Sequence, residues 1–335
     1  MQQVLVSLRL LVAASMFAAL SAQAQSAPAH ADEQEAQAWL KKMRVAAQHL
    51  NYSGTFVYQQ DSQMRTSRIA HLLEGGNELE KLEILDGTPR EYVRVNEEVI
   101  CYVPETHTLQ VEKRVTRDVF PALLGAGTEQ LAEHYALSMA ESGRVAGYAS
   151  QAVLLQPKDN LRYGYKLWAD KGSGLLLRAQ TLNRRGEVVE QIAFTQVTIG
   201  HVDPDRVKPS FSDTAGWHVE QAVTEQASLP GWSVNRLPPG FRKVREVKRM
   251  ISEARAAGTA EAASREVGQM IFSDGLAAIS VFIEPGSHSR TEGTLRQGAL
   301  NILGRRYGDY WLTVVGEVPP NAIREVANSI EFRPE

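Results

Sequence analysis

The stretch YGYKLWADKGSGLLLRAQTLNRRGEVVEQIAFTQV, residues 163–197, covers most of three strand-like runs. They are Arg162 to Ala169, Leu175 to Asn183 and Val188 to Ile199. The turn Gly172-Ser173-Gly174 separates the first two. Short runs rich in β-branched and aromatic residues, divided by tight turns, predict neighbouring antiparallel strands.

The same pattern extends toward the N-terminus, behind one amphipathic segment. Asp32 can cap a helix, Glu35 stands three residues later, and apolar residues recur at helical spacing up to Leu50. Residues 118–135 interrupt the strands and are typical of a helical or irregular insertion. The other predicted strands are Thr55 to Gln60, Ser67 to Leu73, Leu79 to Leu85, Tyr92 to Val95, Val99 to Val103 and Arg144 to Leu155.

A sheet of this length with one helix cannot cover its apolar faces unless it curls. We therefore expect residues 25–206 to form a half-open antiparallel β-barrel wrapped around the helix. Residues 207–229 mix Pro, Ser, Gln and Thr without an apolar period, which predicts a linker.

A second, smaller unit is predicted from residue 230 to residue 335. Asp274-Gly275 and Gly308-Asp309 each lie between two strand-like runs and indicate hairpins. Residues 323–330 place their apolar side chains on one face of a short closing helix. The fold class predicted for the whole chain is α+β.

The N-terminus has the pattern of a secretory signal. Arg9 precedes an apolar stretch from Leu10 to Leu20, and Ala22-Gln23-Ala24 supplies a small-residue cleavage site. The apolar stretch is about half of the roughly 20 residues that a spanning helix needs, which disfavours an uncleaved anchor. We expect residues 1–24 to be removed and the remaining chain to be exported and soluble.

Motifs for catalysis or metal binding are missing from the sequence. Eight His residues are scattered without ligand spacing, so neither a metal nor another cofactor is predicted. The single cysteine, Cys101, lies in an apolar run and is predicted to be a buried structural thiol. No catalytic residue is predicted, and a net charge of −3 does not indicate a nucleic-acid-binding protein.

One basic run stands out in the smaller unit, whose residues 230–335 hold 14 basic and 12 acidic side chains. The run contains Arg242, Lys243, Arg245, Lys248 and Arg249. Two interpretations remain open: a solvated strand edge whose charges oppose aggregation, or a docking patch for an acidic peptide.

Several motifs in order carry a family resemblance. LNYSGTFVYQ (50–59), LDGTPREYVR (85–94), CYVPE (101–105) and the opening stretch resemble the N-terminal domain of the RseB/MucB family. LPPGF (237–241), SDGLAAISVFIE (273–284) and VGEVPP (315–320) are similar to its small domain. Residues 251–264, rich in Ala and Glu, depart from the family pattern and could form a helix.

The resemblance implies a non-enzymatic periplasmic regulator with a LolA/LolB-like large domain and a lipid-sized cavity. Both domains would grip the periplasmic part of an RseA/MucA-type anti-sigma factor and shield it from a DegS-like protease. Lipid or lipopolysaccharide would release it. A periplasmic lipid or lipoprotein carrier of the LolA type is the alternative function, an exported hydrolase ranks third, and a homo-oligomer remains open.

Two sets of site residues follow as hypotheses. Apolar and aromatic strand residues would line the lipid cavity, although such residues more often pack in a core. The predicted lipid-binding residues are Phe56, Tyr58, Leu82, Ile84, Tyr92, Tyr165 and Leu167. For the protein partner we expect Trp232 to act as an anchor and Arg242, Lys243 and Arg245 to orient it by charge.

Overall fold

The computed structural model describes residues 27–113, 120–125, 130–222, 224–226, 228–252, 264–286 and 290–333. Within these residues the chain forms two large β-sheets and a two-stranded one. The predicted signal peptide and most of the Ala/Glu-rich segment, residues 253–263, lie outside the described residues.

The large domain consists of a long helix and a 12-stranded sheet. Helix α1 spans Ala27–His49, and the four-residue helix α2 spans Leu131–His134. The strands are β1 Tyr52–Gln60, β2 Gln63–Glu74, β3 Asn77–Ile84, β4 Arg90–Val95, β5 Glu98–Val103, β6 Thr108–Lys113, β7 Tyr135–Val145, β8 Tyr148–Pro157, β9 Gly164–Asp170, β10 Leu176–Leu182, β11 Val188–Ile199 and β12 His218–Ala222.

The sheet has the order β12-β6-β5-β4-β3-β2-β1-β11-β10-β9-β8-β7, so its two edges, β12 and β7, do not pair with each other. Among the strands of the described residues, only β12 and β6 pair in parallel. Helix α1 packs against β7, β8 and β10, and it buries Ala36, Leu40 and Met43 in the core of the sheet. The predicted half-open antiparallel barrel around a helix is therefore confirmed.

Two local predictions were wrong. Helix α1 already includes Ala27, so Asp32 lies within it, and the Asp32 carboxylate accepts a hydrogen bond from the backbone N–H of Met139 on the edge strand β7 (3.1 Å). The run Arg144 to Leu155 is not one strand. It contains a tight turn at Ala146 and Gly147, both with positive φ, and this turn joins β7 to β8.

The small domain is α+β, as predicted. Helix α3 spans Pro320–Asn328, and its buried residues pack on the seven-stranded sheet. The strands of the small domain are β13 Thr224–Gln226, β14 Trp232–Val234, β15 Arg242–Ser252, β16 Ser264–Ser273, β17 Ala278–Pro285, β18 Gly293–Gln297, β19 Leu300–Tyr307, β20 Tyr310–Gly316 and β21 Ile330–Phe332. The seven-stranded sheet has the order β13-β15-β16-β17-β20-β19-β18, while β14 pairs with β21.

The segment predicted as a linker is held against the outer face of the large sheet. Val207 is buried with Leu72, and the Phe211 ring stacks on Tyr102 at 5.8 Å between centroids. Strand β12 then joins the large sheet, and β13 joins the small one. The connection between the domains is thus packed and hydrogen-bonded along most of its length.

Candidate functional site

The concave face of the large sheet is closed by aromatic packing at β1 and β11. Phe56 and Phe194 are directly paired across these strands. Phe120, from the irregular segment 120–125, lies against both rings, with centroids 5.4 Å from Phe56 and 4.9 Å from Phe194. All three rings are buried. Segment 120–125 therefore covers this part of the concave face.

The same face opens toward solvent as it continues from β1 to β4. Ile69, Leu82 and Tyr92 are paired in succession across β2, β3 and β4, so their side chains share one face. Ile69 is completely buried, Leu82 is half-buried, and Tyr92 is 37% exposed. Ile84, two residues beyond Leu82, is also half-buried. An apolar surface thus remains open beside the helix-covered core.

The seven predicted lipid-binding residues consequently lie in different environments. Phe56, Tyr165 and Leu167 belong to the packed core of the large domain. Tyr58 is half-buried, and its hydroxyl donates a hydrogen bond to Glu190 (2.8 Å). Only the remaining three, Leu82, Ile84 and Tyr92, line the open side of the concave face.

Cys101 lies on β5 directly opposite Tyr92. The thiol is free and buried, as predicted. Burial raises the pKa of Cys101, which keeps the thiol protonated and therefore a poor nucleophile. This position adds apolar surface to the concave face and no reactive group.

The two domains meet at the turn between β16 and β17. Asp274 in this turn accepts a hydrogen bond from the guanidinium of Arg162 at 2.7 Å, and neither side chain is accessible to solvent. The Tyr135 hydroxyl donates to the same carboxylate at 3.3 Å. Arg162 also bonds Asp159 and the carbonyl oxygen of Pro239. A buried carboxylate that is paired and hydrogen-bonded in this way fastens the small domain to the large one.

The β16–β17 turn also reaches the interior of the large domain. Leu276 packs against the large core, and the Gly275 carbonyl accepts a hydrogen bond from the backbone N–H of Gly125 (3.2 Å). Gly125 ends the segment that Phe120 begins. One short stretch of backbone therefore links the cover of the concave face to the contact between the domains.

A second contact between the domains centres on Glu190. Its carboxylate accepts hydrogen bonds from the hydroxyls of Tyr58 and Thr181 and from the backbone N–H of Ala299, at 2.8, 3.3 and 3.2 Å. Nearby, desolvation followed by repulsion from Glu190 raises the pKa of Glu317 to about 7. Two carboxyl groups in one junction favour the protonated form of one of them.

The four predicted partner residues lie on two strands of different sheets, with Trp232 on β14 and Arg242, Lys243 and Arg245 on β15. Trp232 is half-buried in an aromatic cluster of the small domain, with ring centroids 4.7 Å from Phe332 and 5.0 Å from Tyr310. Arg242 and Lys243 lie exposed at the start of β15, and Arg245 is half-buried on the same strand.

These cations also have intramolecular neighbours. Arg242 donates to Gln130 of the large domain, and Lys243 pairs with Glu246. Lys248 and Arg249 of the same run pair with Glu266 and Glu112. Both sequence interpretations of the basic run therefore remain open: part of its charge is compensated, and part faces solvent.

Sequence reasoning missed the residues that join the domains. From the sequence alone, Asp274 indicates only a turn, Glu190 is part of a predicted strand, and Arg162 is the first residue of another. A single signal was available, since Arg162 is a charged residue at the start of a run that is mostly apolar and aromatic. It could not have supplied the partner, which lies 112 residues later in the chain.

No three His, Cys, Asp or Glu side chains among the described residues are grouped so that they could hold a metal ion. No helix in that part of the chain is long and apolar enough to cross a membrane.

These features define a class of two-domain β protein. A curled sheet around a helix leaves part of its concave face open, and a smaller α+β domain is fastened to its side through buried polar contacts. The family model of the MucB/RseB N-terminal domain matches residues 35–211, and that of the MucB/RseB C-terminal domain matches residues 226–331. The chain belongs to the MucB/RseB family.

Named relatives and solved structures agree with this assignment. The chain is 31% identical over 308 residues to the sigma factor AlgU regulatory protein MucB of Pseudomonas aeruginosa, covering 90% of this chain and 92% of the relative. It is 27% identical over 311 residues to the sigma-E factor regulatory protein RseB of Haemophilus influenzae, covering 92% and 95%.

The crystal structure of MucB in complex with MucA(peri) matches with a TM-score of 0.68 and 29% identity, covering 90% of this chain and all of the MucB chain. MucB crystallised by itself gives a TM-score of 0.65 at 28% identity, with 90% and 98% covered. The similarity thus spans both domains.

Proposed function

We propose that this chain is a periplasmic negative regulator of the envelope stress response. It binds the periplasmic part of an RseA/MucA-type anti-sigma factor, protects it from a DegS-like protease, and releases it when lipid or lipopolysaccharide binds. One observation carries the proposal: the chain is similar over 90% of its length to a MucB chain that was solved in complex with MucA(peri).

The open concave face supports the lipid part of this proposal. Leu82, Ile84 and Tyr92 leave apolar surface accessible there. Burial of a methylene group contributes about 0.8 kcal/mol. About ten methylenes would therefore match the roughly 8 kcal/mol of a micromolar protein contact. An acyl chain that buries about ten methylene groups on this surface would therefore gain enough binding free energy to compete with a bound polypeptide.

The segment 120–125 supplies a physical connection between the two binding events. It covers the concave face through Phe120 and contacts the small domain through Gly125. A lipid that displaces Phe120 would disturb the hydrogen bond between Gly125 and Gly275. Lipid and partner would then favour different arrangements of the same junction, which is the condition for one ligand to weaken binding of the other.

The basic run on β15 is the proposed contact for acidic groups of the partner. Arg242 and Lys243 are exposed at the start of this strand, and Val244 between them and Arg245 is 54% exposed. Trp232 contributes as an anchor only through the part of its ring that the aromatic cluster leaves open. Cations around exposed apolar surface suit the orientation of an acidic peptide.

The experiment measures proteolysis of the purified periplasmic domain of a MucA-type anti-sigma factor by a DegS-like protease. We expect the mature full-length chain to slow cleavage, and detergent-dispersed lipopolysaccharide to restore it. The matched control is an equal concentration of an unrelated periplasmic protein. An unchanged cleavage rate with the chain present would refute the inhibitory role, and protection unaffected by lipopolysaccharide would refute release by lipid.

A carrier of lipid or lipoprotein is the second candidate, because the open concave face lies entirely within the large domain. This function predicts that the full chain extracts a lipoprotein from one set of vesicles and delivers it to another. Net transfer by the chain, without any effect on anti-sigma factor cleavage, would favour the carrier over the regulator.

A further inference from the structure

A groove lies on the outer face of the large sheet, away from the concave surface. It has a volume of about 850 Å³. Strands β8, β9 and β10 form its floor, and the loop around Asn160 and the turn around Arg184 form its walls. None of the residues used in the proposals above lines it.

The depth of the groove depends on Gly164. This residue is paired with Leu182 on β10 at the centre of the floor. A Cβ at this position would approach the Leu155 carbonyl oxygen at 3.2 Å and the Pro157 ring at 3.3 Å. A side chain would therefore be crowded at this position. Because glycine has none, the groove is deeper here between its two walls.

The groove is lined by both aliphatic and basic side chains. Leu154, Leu182 and Val188 present aliphatic surface, and Val188 is 48% exposed. Lys158, Lys166 and Arg184 come from three different segments. The acidic residue on the lining, Asp159, shares the single positive charge of Arg162 with Asp274, so three cations of the lining accompany one partly compensated carboxylate. Lys166 also pairs with Glu141, which lies outside the groove.

Amide side chains complete the lining. Gln156 and Gln180 offer both a donor and an acceptor, as the main chain of an extended peptide requires. The groove also ends at the small domain, because the side-chain amide of Asn321 on α3 donates to the Asn160 carbonyl oxygen at 2.8 Å. It is therefore continuous with the junction between the domains.

We infer that this groove binds an extended, acidic segment of the anti-sigma factor, with one or two apolar side chains inserted between Leu154, Leu182 and Val188. The inference rests on the proposed function and adds a second contact to it. Carboxylates of the segment would lie near Arg184 and Lys158. A polypeptide suits the alternation of amides, cations and aliphatic groups better than an acyl chain, which needs a continuous apolar channel.

The test uses the double variant Arg184→Glu/Val188→Glu in the full chain. Both side chains are exposed, so the fold is retained, whereas Lys158 donates to the Ala132 carbonyl oxygen and is left unchanged. The matched control is Lys171→Glu, an exposed cation in the turn at the opposite end of β10. The probe is the periplasmic domain of MucA, and its affinity is measured by titration at two salt concentrations.

We expect the double variant to bind the probe about tenfold more weakly than the original chain and with a smaller salt dependence, and the control to bind unchanged. Because Cys101 is buried, a fluorophore can be placed at Val188→Cys alone, with Lys171→Cys as control. The label at residue 188 should respond to the probe, and the label at residue 171 should not.

The outcomes separate the two proposals. If the original chain binds the probe, and the double variant binds equally well with no response of the label, the groove inference is wrong and the proposed function stands. If the original chain does not bind the probe at all, the proposed function fails, and the inference fails with it. A label that responds to phospholipid vesicles and not to the probe would overturn the peptide assignment.

Discussion

Arg162 of the large domain and Asp274 of the small domain form an ion pair of 2.7 Å in which neither side chain is accessible to solvent. The Arg162 guanidinium also lies over the rings of Tyr135 and Phe241, at 5.4 and 5.5 Å from their centroids. Cation–π contacts and hydrogen bonds together compensate the desolvation of both charges. The pair therefore holds the β16–β17 turn in the side of the large domain.

Removal of one partner should be costly. In Arg162→Ala, the Asp274 carboxylate remains buried beside Tyr135 without its cation. We expect a loss of about 3–5 kcal/mol in the free energy of unfolding. Urea denaturation followed by circular dichroism measures it.

The matched control for this prediction is Arg185→Ala. Arg185 pairs with Glu187 at 2.9 Å on the surface, and such pairs contribute about 0–1 kcal/mol. If Arg162→Ala destabilised the protein no more than Arg185→Ala, the buried pair would not fasten the domains. The double variant Arg162→Met/Asp274→Asn removes both charges and keeps an oxygen that accepts from the backbone N–H groups of Leu276 and Ala277, so it should lie closer to the original stability than Arg162→Ala does.

The ion pair also illustrates which features of the fold can be predicted from the sequence and which cannot. Local patterns were sufficient for the Asp274-Gly275 turn, the Gly308-Asp309 turn and the closing helix α3, because hairpins and amphipathic helices depend on nearby residues. The contact of Asp274 with Arg162 depends on how two finished domains dock. No periodicity along the chain encodes that arrangement.

The candidate site shows the same division. Alternation placed Leu82, Ile84 and Tyr92 on one face of the sheet, and they share the open concave side. It could not tell them from Tyr165 and Leu167, which are buried in the core. That difference arises because α1 packs mainly over β7, β8 and β10, and β9, which carries Tyr165 and Leu167, lies between β8 and β10.

Release of the partner by lipid should depend on the open side of the concave face. In Ile84→Glu, a carboxylate stands where an acyl chain would lie, and burying it without a partner is unfavourable. We expect about tenfold more lipopolysaccharide to be needed to restore cleavage of the anti-sigma factor, with protection in the absence of lipid unchanged.

The control is Val95→Glu. Val95 is 46% exposed on β4, one strand away, and its side chain points to the opposite face from Tyr92. This variant should respond to lipopolysaccharide as the original chain does. Equal lipopolysaccharide requirements for the Ile84 and Val95 variants would place the lipid elsewhere.

The carboxyl pair at the junction predicts a pH dependence of stability. Part of the Glu317 side chain reaches solvent, yet desolvation and the neighbouring Glu190 raise its pKa from 4.5 to about 7. Between pH 4.5 and about 7 the folded chain binds more protons than the unfolded chain. The stabilising contribution of Glu317 to the free energy of unfolding is therefore fully present below pH 4.5 and is lost as the pH rises through about 7.

Glu317→Gln keeps this position neutral at every pH. We expect its melting temperature to exceed that of the original chain by roughly 2 °C at pH 8, and the difference to vanish near pH 4. Differential scanning calorimetry across this range measures both. A constant difference in melting temperature at all pH values would mean that the pKa of Glu317 is the same in the folded and unfolded chains.

The close approach of β1 and β11 predicts a strict requirement for glycine at residue 54. A Cβ on Gly54 would lie 2.4 Å from the Gln196 carbonyl oxygen and 2.9 Å from the Phe194 ring. Backbone cannot move aside as a flexible side chain can, and Phe194 is fixed by Phe56 and Phe120. Gly54→Ala should therefore cost about 1–3 kcal/mol, as overpacking of a core does.

Gly216→Ala is the matched control for this variant, because no atom lies within 4 Å of its added Cβ and its φ is not in the left-handed region. This control should leave stability within about 0.5 kcal/mol of the original. Since Gly54 lies beside the aromatic cover of the concave face, its replacement should also expose that face. Increased fluorescence of a hydrophobic dye with Gly54→Ala, and not with Gly216→Ala, would show this exposure. Equal dye binding and equal stability of the two variants would contradict the close approach of β1 and β11.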